Sequence, residues 1–471
     1  MSERDRFEKL IAKHPHPHKN FFQRPHFTRR NFFELAGAGV VGSYLVGKAQ
    51  AADETAWQPD AQTINKAKNV IFVLLAGAPS HTDTFDFKMI DGTTPKEAAP
   101  ESFNGVVMPT GIFPNLTKNN MGDIAIVRSV RSWALVHQLA QTWTQIGRNP
   151  AAALGNIAPN IGSVVAIEKE GERKKGQVFP TFLALNSNTA SGPGYFESKY
   201  APFKSTPAAA GLTNTTNTVG QTRANDMYTM LRTEDDTLRI NSPFGKNVED
   251  MDDFYNSARD LMYNPTVNKA FGFTAADSLR YGSTGFGNAC LVARQTIAAN
   301  QGTRFVQITL GGWDMHQNIY GANGNIAAGT NIFTLGKQLD AGLSAMLTDM
   351  KNDGTLDETL VVVVGEFGRT VGKVTAAGGR DHFLQQFAVF AGGGVKGGRA
   401  LGSTTADGSS TVDPGWSRQR DVKPEDIEAT IYSALGINWT TVRYDDPFGR
   451  GFEYVPSSKD DLYGPINELW K

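Results

Sequence analysis

Continuous apolar runs and amphipathic stretches alternate along most of the chain. Runs rich in Val, Ile, Leu and Phe stand at about 69–76, 123–128, 304–310 and 359–364, and another ("FAVFAGGG") follows near 387. They lack polar alternation, so they read as strands buried on both faces, which implies a mostly parallel sheet with helical crossovers. Helical spacing appears at 288–300 and 331–351, and the second stretch leads through "NDGTLDET" straight into "LVVVVGEFG". Helix, short glycine loop, strand is the order of a doubly wound α/β domain. "KPEDIEATIYSALGI" (423–437) reads as a closing helix, with Pro424 in its first turn and Gly436 near its end. "GSTTADGSSTVDPGW" (402–416) reads as a polar hairpin or loop. Between about 186 and 285 the pattern changes to Asn/Thr/Gly-rich loops and helices of mixed charge. This stretch is expected to be an insertion over the sheet's rim, within one domain spanning 52–471.

The first 51 residues stand apart. "TRRNFF" carries Arg29 and Arg30, "FFELAGAGVVGSYLVG" follows, and "AQA" closes the segment at 49–51. This resembles a twin-arginine export signal, with cleavage expected after Ala51, a periplasmic or secreted location, and the Tat translocase as a transient partner. Four of the eight histidines (His14, His16, His18 and His26) lie in this leader and are expected to leave with it. The apolar run is too short and glycine-rich for a comfortable span, and no other approaches the length a bilayer needs, so no permanent membrane span is expected. Removing the segment takes nine Lys/Arg and four Asp/Glu from totals of 46 and 47, moving the net charge from -1 to -6. That balance gives no reason to expect a nucleic-acid partner. With 471 residues, 40% of them hydrophobic, the chain is long enough for a large core, and its single cysteine, Cys290, excludes an internal disulfide framework.

The remaining histidines show where chemistry belongs. His81 ("APSHTDTFD"), His137 ("RSWALVHQ"), His316 ("GGWDMHQN") and His382 ("GGRDHF") each sit in a polar cluster at the end of an apolar run. A fifth cluster, "GEFGRT", follows "TLVVVV". Four of the five clusters lie at carboxyl ends, the rim where open α/β sheets build their sites. Asp314 and His316, at i and i+2 of an extended backbone, project to one side and can share a metal ion. Glu366, Asp381 and His382 follow at the next strand ends, and Asp83 with His81 completes the rim. Carboxylates mixed with imidazoles suit Zn²⁺ or Mn²⁺, with iron and Ca²⁺ also open. Arg369 is a candidate clamp for a phosphate or sulfate group, and His137 a candidate base or nucleophile. The same residues can also serve structure alone: Asp-x-His as a loop-pinning hydrogen bond, Glu366–Arg369 and Arg380–Asp381 as ion pairs.

The motifs "GAPSHTDTFDFK", "RFVQITLGGWDMHQN", "GTLDETLVVVVGEFGRT", "GGRDHF" and "FAGGGVKGG", in this order over about residues 66–440, resemble those of the bacterial domain-of-unknown-function family 1501. That family is similar in fold to the alkaline-phosphatase/sulfatase superfamily. The resemblance implies an α/β, alkaline-phosphatase-like fold: a large, mostly parallel central sheet sandwiched between helical layers. It also implies a metal-assisted site at the strand ends and a small anionic phosphate or sulfate ester as substrate. Asp314, His316, Glu366 and His382 fall where superfamily metal ligands are expected. Two departures stand out. No aspartate directly follows "NVIFVLL", and the slot for a Ser, Thr or Cys nucleophile holds His137. They put the superfamily's covalent mechanism in doubt and favour a second reading, a non-catalytic protein of this fold whose rim binds a ligand or envelope partner.

Overall fold

In the computed structural model, which describes residues 61–239 and 242–471, the apolar runs assemble into one eight-stranded sheet. Its strands are β1 (Asn69–Leu75), β2 (Ile124–Arg131), β3 (Phe182–Leu185), β4 (Phe203–Ser205), β5 (Phe305–Leu310), β6 (Thr359–Gly365), β7 (Gln385–Ala391) and β8 (Arg399–Leu401). Across the sheet the order is β8-β2-β7-β6-β1-β5-β3-β4. Neighbours pair in parallel except at β7, which runs antiparallel to both β2 and β6. In the central register Val70 stands opposite both Phe305 and Leu360.

The helices used below are α1 (His137–Ile146), α2 (Ile161–Glu168), α3 (Gln221–Arg239), α4 (Lys246–Leu261), α5 (Gly285–Ala299), α6 (Ile332–Asn352) and α7 (Pro424–Ala434). Successive side chains of a strand point to opposite faces, and β1 shows both faces buried. Ile71, Val73 and Leu75 join the core beneath α5 and α6, while Val70, Phe72 and Leu74 join the core beneath α2 and α7. The chain thus forms the expected sandwich of helical layers around a mostly parallel sheet. Strands β3, β4 and β8, of three or four residues each, are too short for their composition to mark them. The stretch 186–285 is more helical than its Asn/Thr/Gly content suggests. It contributes edge strand β4, then α3, α4 and the shorter helices Pro265–Phe271 and Ala275–Arg280. Residues 403–404 and 411–413 pair as the polar hairpin.

The antiparallel β7 resolves one irregularity of the sequence. The "GGRDHF" cluster precedes its strand, whereas the other clusters follow theirs. Because β7 runs the opposite way, its amino end lies on the rim that carries the carboxyl ends of its parallel neighbours.

The twin-arginine motif, the leader histidines and Ala51 lie outside the described residues. Among the described residues no helix is long and apolar enough to cross a membrane.

Candidate metal centre

Three backbone approaches bring the rim clusters together. After β5 the chain passes through Gly311 and Gly312, and Trp313 turns into the core, leaving Asp314 and His316 about half exposed. Gly77, at φ +106°, allows the end of β1 to close on this loop, because a Cβ there would lie 2.6 Å from the Asp314 amide nitrogen. From the other side, the Arg380 N–H donates to the Met315 carbonyl (3.0 Å) and the Ile319 N–H to Gly378 (2.9 Å). A two-residue ribbon then pairs Arg369 with His382. The fourth contribution is His137, the first residue of α1.

One donor atom each from His137, Asp314, His316 and His382 lies within 4.8 Å of the others. Asp314 Oδ1 is 3.2 Å from His137 Nε2, 3.1 Å from His316 Nε2 and 3.8 Å from His382 Nε2. The two latter Nε2 atoms are 3.0 Å apart. Each Nδ1 faces an acceptor: Glu366 Oε1 for His137 (2.7 Å), Asp381 Oδ1 for His316 (2.9 Å) and the Leu135 carbonyl for His382 (2.7 Å). A carboxylate or carbonyl can only accept, and a neutral imidazole carries one ring proton. Neutral rings with the proton on Nδ1 would turn three Nε2 lone pairs toward one carboxylate oxygen. His137 Nε2 is buried with no hydrogen-bond partner among the described residues. Lone pairs facing one another at these distances repel unless a cation lies among them. Histidine ligands oriented through Nδ1 by a carboxylate or carbonyl are the usual support of protein metal sites. The donor set fits a divalent cation.

The electrostatics agree. The hydrogen bond to Glu366 raises the His137 pKa above the usual imidazole value, against the opposing effect of burial. Desolvation lowers that of His382. Burial pushes the Asp314 carboxyl up, but the hydrogen bond and charge of Arg369 outweigh it and hold the carboxyl below the usual range.

Among the residues singled out from the sequence, Asp314, His316 and His382 enter the cluster directly, and His137 joins them as a fourth donor. Glu366 and Asp381 stand one layer back, as acceptors for His137 and His316. Glu366 is wholly buried, and its Oε1 also accepts from Gly77 N–H (2.8 Å) and Gln141 Nε2 (3.0 Å). Asp83 lies apart from the cluster: Arg380 holds it in a buried ion pair (2.7 Å), and Ser80 and Tyr320 donate to it. His81 is buried too, with Nε2 2.9 Å from the Gly408 carbonyl in the polar hairpin, so it does not face the opening. Arg369 is largely committed within the fold: Ala78, Gly77 and Arg380 carbonyls and Asp314 Oδ1 engage four of its N–H groups, and the fifth lies 3.4 Å from His316 Nε2. Gln141 escaped the sequence reading, although its i+4 spacing from His137 places both on one helix face. Glu366→Gln is expected to weaken cation binding about 10- to 100-fold while leaving the fold intact. A chelator-competition titration reads this, and unchanged affinity would remove Glu366 from the site.

Beside His137, Trp133 forms part of the rim. The indole N–H groups of Trp133 and Trp143 both donate to the buried Glu425 of α7. Burial pushes the Glu425 carboxyl up to about 7, against those donors. A carboxyl whose folded pKa exceeds its unfolded value near 4.5 contributes stability below that value and loses it as pH rises through about 7. Glu425→Gln should therefore match wild type in thermal unfolding at pH 4.5 and gain several degrees on it by pH 8. Parallel curves for the two proteins across that window would refute the assignment.

Fold and rim together define an α/β protein with a cluster of three histidines and one aspartate at its strand ends that could hold a metal ion. Residues 67–459 match the family model described as "Protein of unknown function (DUF1501)", and the chain belongs to that family. Among solved structures it is similar to a lipoteichoic acid synthase from Listeria monocytogenes, at 12% identity and a TM-score of 0.35, over 84% of this chain and 78% of that one. It is also similar to a Pseudoalteromonas sp. sulfatase at 12% identity and a TM-score of 0.37, over 88% and 73% of the two chains. An alkaline phosphatase from the Antarctic bacterium TAB5 matches at 14% identity and a TM-score of 0.31, over 70% of this chain and 92% of that one. No curated protein matches.

Proposed function

We propose that this protein is an exported, metal-dependent hydrolase of phosphate or sulfate esters, with the cation held by His137, Asp314, His316 and His382. The observation that supports this most is the convergence of three Nε2 atoms on Asp314, with each ring's Nδ1 facing an acceptor. Nitrogen-rich donors with one carboxylate favour Zn²⁺ or Mn²⁺ over Mg²⁺ and Ca²⁺. When bound, such an ion supplies concentrated positive charge toward the ester's anionic group. The chain's own residues do the rest. Glu366 and Asp381 keep the Nδ1 protons in place, and Arg369 neutralises Asp314 from below, so the donors are oriented before any ligand arrives. In this reading His137 is a ligand rather than a base or nucleophile, because Glu366 occupies one of its nitrogens and the cluster the other.

A second reading, a binding protein without catalysis, is favoured by one observation: Arg369, the expected anion clamp, has four of its five donors engaged within the fold. Elemental analysis of the protein, purified without chelator or affinity histidines, together with assays on aryl phosphate and aryl sulfate, separates them. Near-stoichiometric zinc or manganese, with hydrolysis lost on chelation and restored by the ion, is the expected result. Bound metal without hydrolysis of any ester would leave the binding reading. A chain that stays empty after incubation with these ions would overturn both metal assignments.

A further inference from the structure

The loop that leads into the metal centre is apolar where a solvent-facing turn is ordinarily polar. Between Ser132 and His137, the side chains of Trp133, Leu135 and Val136 stay exposed at 44%, 39% and 62%. Ala134 instead packs inward against the small cluster of Ala78, Ala140 and Phe367. The backbone is pinned at both ends: Ser132 N–H donates to the Leu384 carbonyl (3.0 Å), and Ala140 N–H donates to the Val136 carbonyl (2.9 Å) as α1 begins. Trp133 is held as well. Its N–H donates to Glu425, its ring stacks on Trp143 with centroids 6.2 Å apart, and the Lys423 ammonium lies 4.0 Å over it. Held at these points, the loop keeps its apolar side chains in water instead of folding them under.

Position assigns these side chains to the centre. The Leu135 carbonyl is the acceptor for His382 Nδ1 (2.7 Å), and Val136 directly precedes His137, so two of the four donors adjoin this loop. The other donor-bearing segments, 311–318 and 369–382, expose no large apolar side chain, and Asp314, His316 and Asp381 stand exposed there. The rim is thus apolar on one side and polar on the other. Size narrows the occupant. Three part-exposed side chains offer far less than the ~800 Å² that each partner of a stable protein complex buries. They match one organic group, since a single aromatic ring buries about 150–250 Å². A sugar or polyol laid there would face side chains that give its hydroxyls no hydrogen bond. We propose that the ester's organic group is apolar, an aromatic ring or an alkyl chain, and that Leu135 and Val136 with the Trp133 indole select it; this rests on the hydrolase reading above.

The test is titration calorimetry of the whole protein, with zinc or manganese present, against naphthylmethyl, octyl and hydroxyethyl phosphonates and the corresponding sulfonates, which keep the anionic head and resist hydrolysis. In whichever series binds, an apolar member should bind at least ~10-fold more tightly than the hydroxyethyl member. Its heat-capacity change should be the more negative, as apolar burial requires. The naphthyl and octyl members, compared with each other, tell an aryl ester from an alkyl one. Leu135→Ser/Val136→Ser should remove most of that margin with metal content and thermal unfolding unchanged, because both side chains are exposed and Leu135 meets His382 through its backbone. Equal affinity across a series, a margin unchanged by the double substitution, or no binding of either series would overturn the inference. Assays on the matching phosphate and sulfate esters separate it from the reading it rests on. Hydrolysis without an apolar margin would overturn the inference alone, whereas an apolar margin without hydrolysis of any ester would uphold the role of residues 133–136 and overturn the hydrolase reading.

Discussion

Alanine at His316 and His382 together is expected to empty the metal centre and end any ester hydrolysis while the fold persists. The pair is chosen over Asp314 for a structural reason. Asp314 also neutralises Arg369, whose side chain is fully buried, so removing the carboxylate would leave an uncompensated buried cation and confuse lost binding with lost stability. His316 and His382 instead reach the opening from the rim and take no part in either apolar core. Loss of outer-shell partners alone commonly weakens metal binding 10–100-fold, so removal of two direct donors should exceed ~10³-fold. Metal content should fall from near one equivalent per chain to background, with circular dichroism and thermal unfolding of the metal-free proteins superimposable. Retention of the ion would place the binding site elsewhere.

The second large effect is expected on stability, at Asp83→Ala. Asp83 and Arg380 are both nearly inaccessible, and the remaining Arg380 donors reach only the Thr370 and Gly372 carbonyls and the Tyr320 hydroxyl. Deleting one partner of a buried ion pair typically costs about 3–5 kcal/mol. Arg380 also ties the loop that carries Asp381 and His382 to the segment after β1. Asp83→Ala should therefore lower denaturant stability by about that amount and weaken cation binding with it. A change under about 1 kcal/mol would show that the pair contributes little beyond its own desolvation.

What could be seen in the sequence follows from what each signal encodes. Strands buried on both faces are continuous apolar runs, and β1, β2, β5, β6 and β7 were visible for that reason. The rim position of Asp314, His316, Glu366 and His382 followed, because sheet ends collect loops. The layer in which each carboxylate would act was hidden. Glu366 and Asp381 have the composition of ligands, but which oxygen meets an ion and which meets an Nδ1 depends on the close backbone approach at Gly77 and the ribbon pairing Arg369 with His382. Nor could Arg369 be told from an anion clamp, since three of its acceptors are backbone carbonyls that leave no mark in side-chain identity. Asp83 misled for a related reason: its partner Arg380 is 297 positions away.

The four donors of the centre stand at positions 137, 314, 316 and 382, and only two of them share a segment. No local stretch of the nascent chain can assemble them. The site comes into being only when β2, β5, β6 and β7 have found their neighbours, so an ion bound there would meet a finished sheet and could not nucleate it. On the proposed reading, metal uptake would then follow folding rather than initiate it.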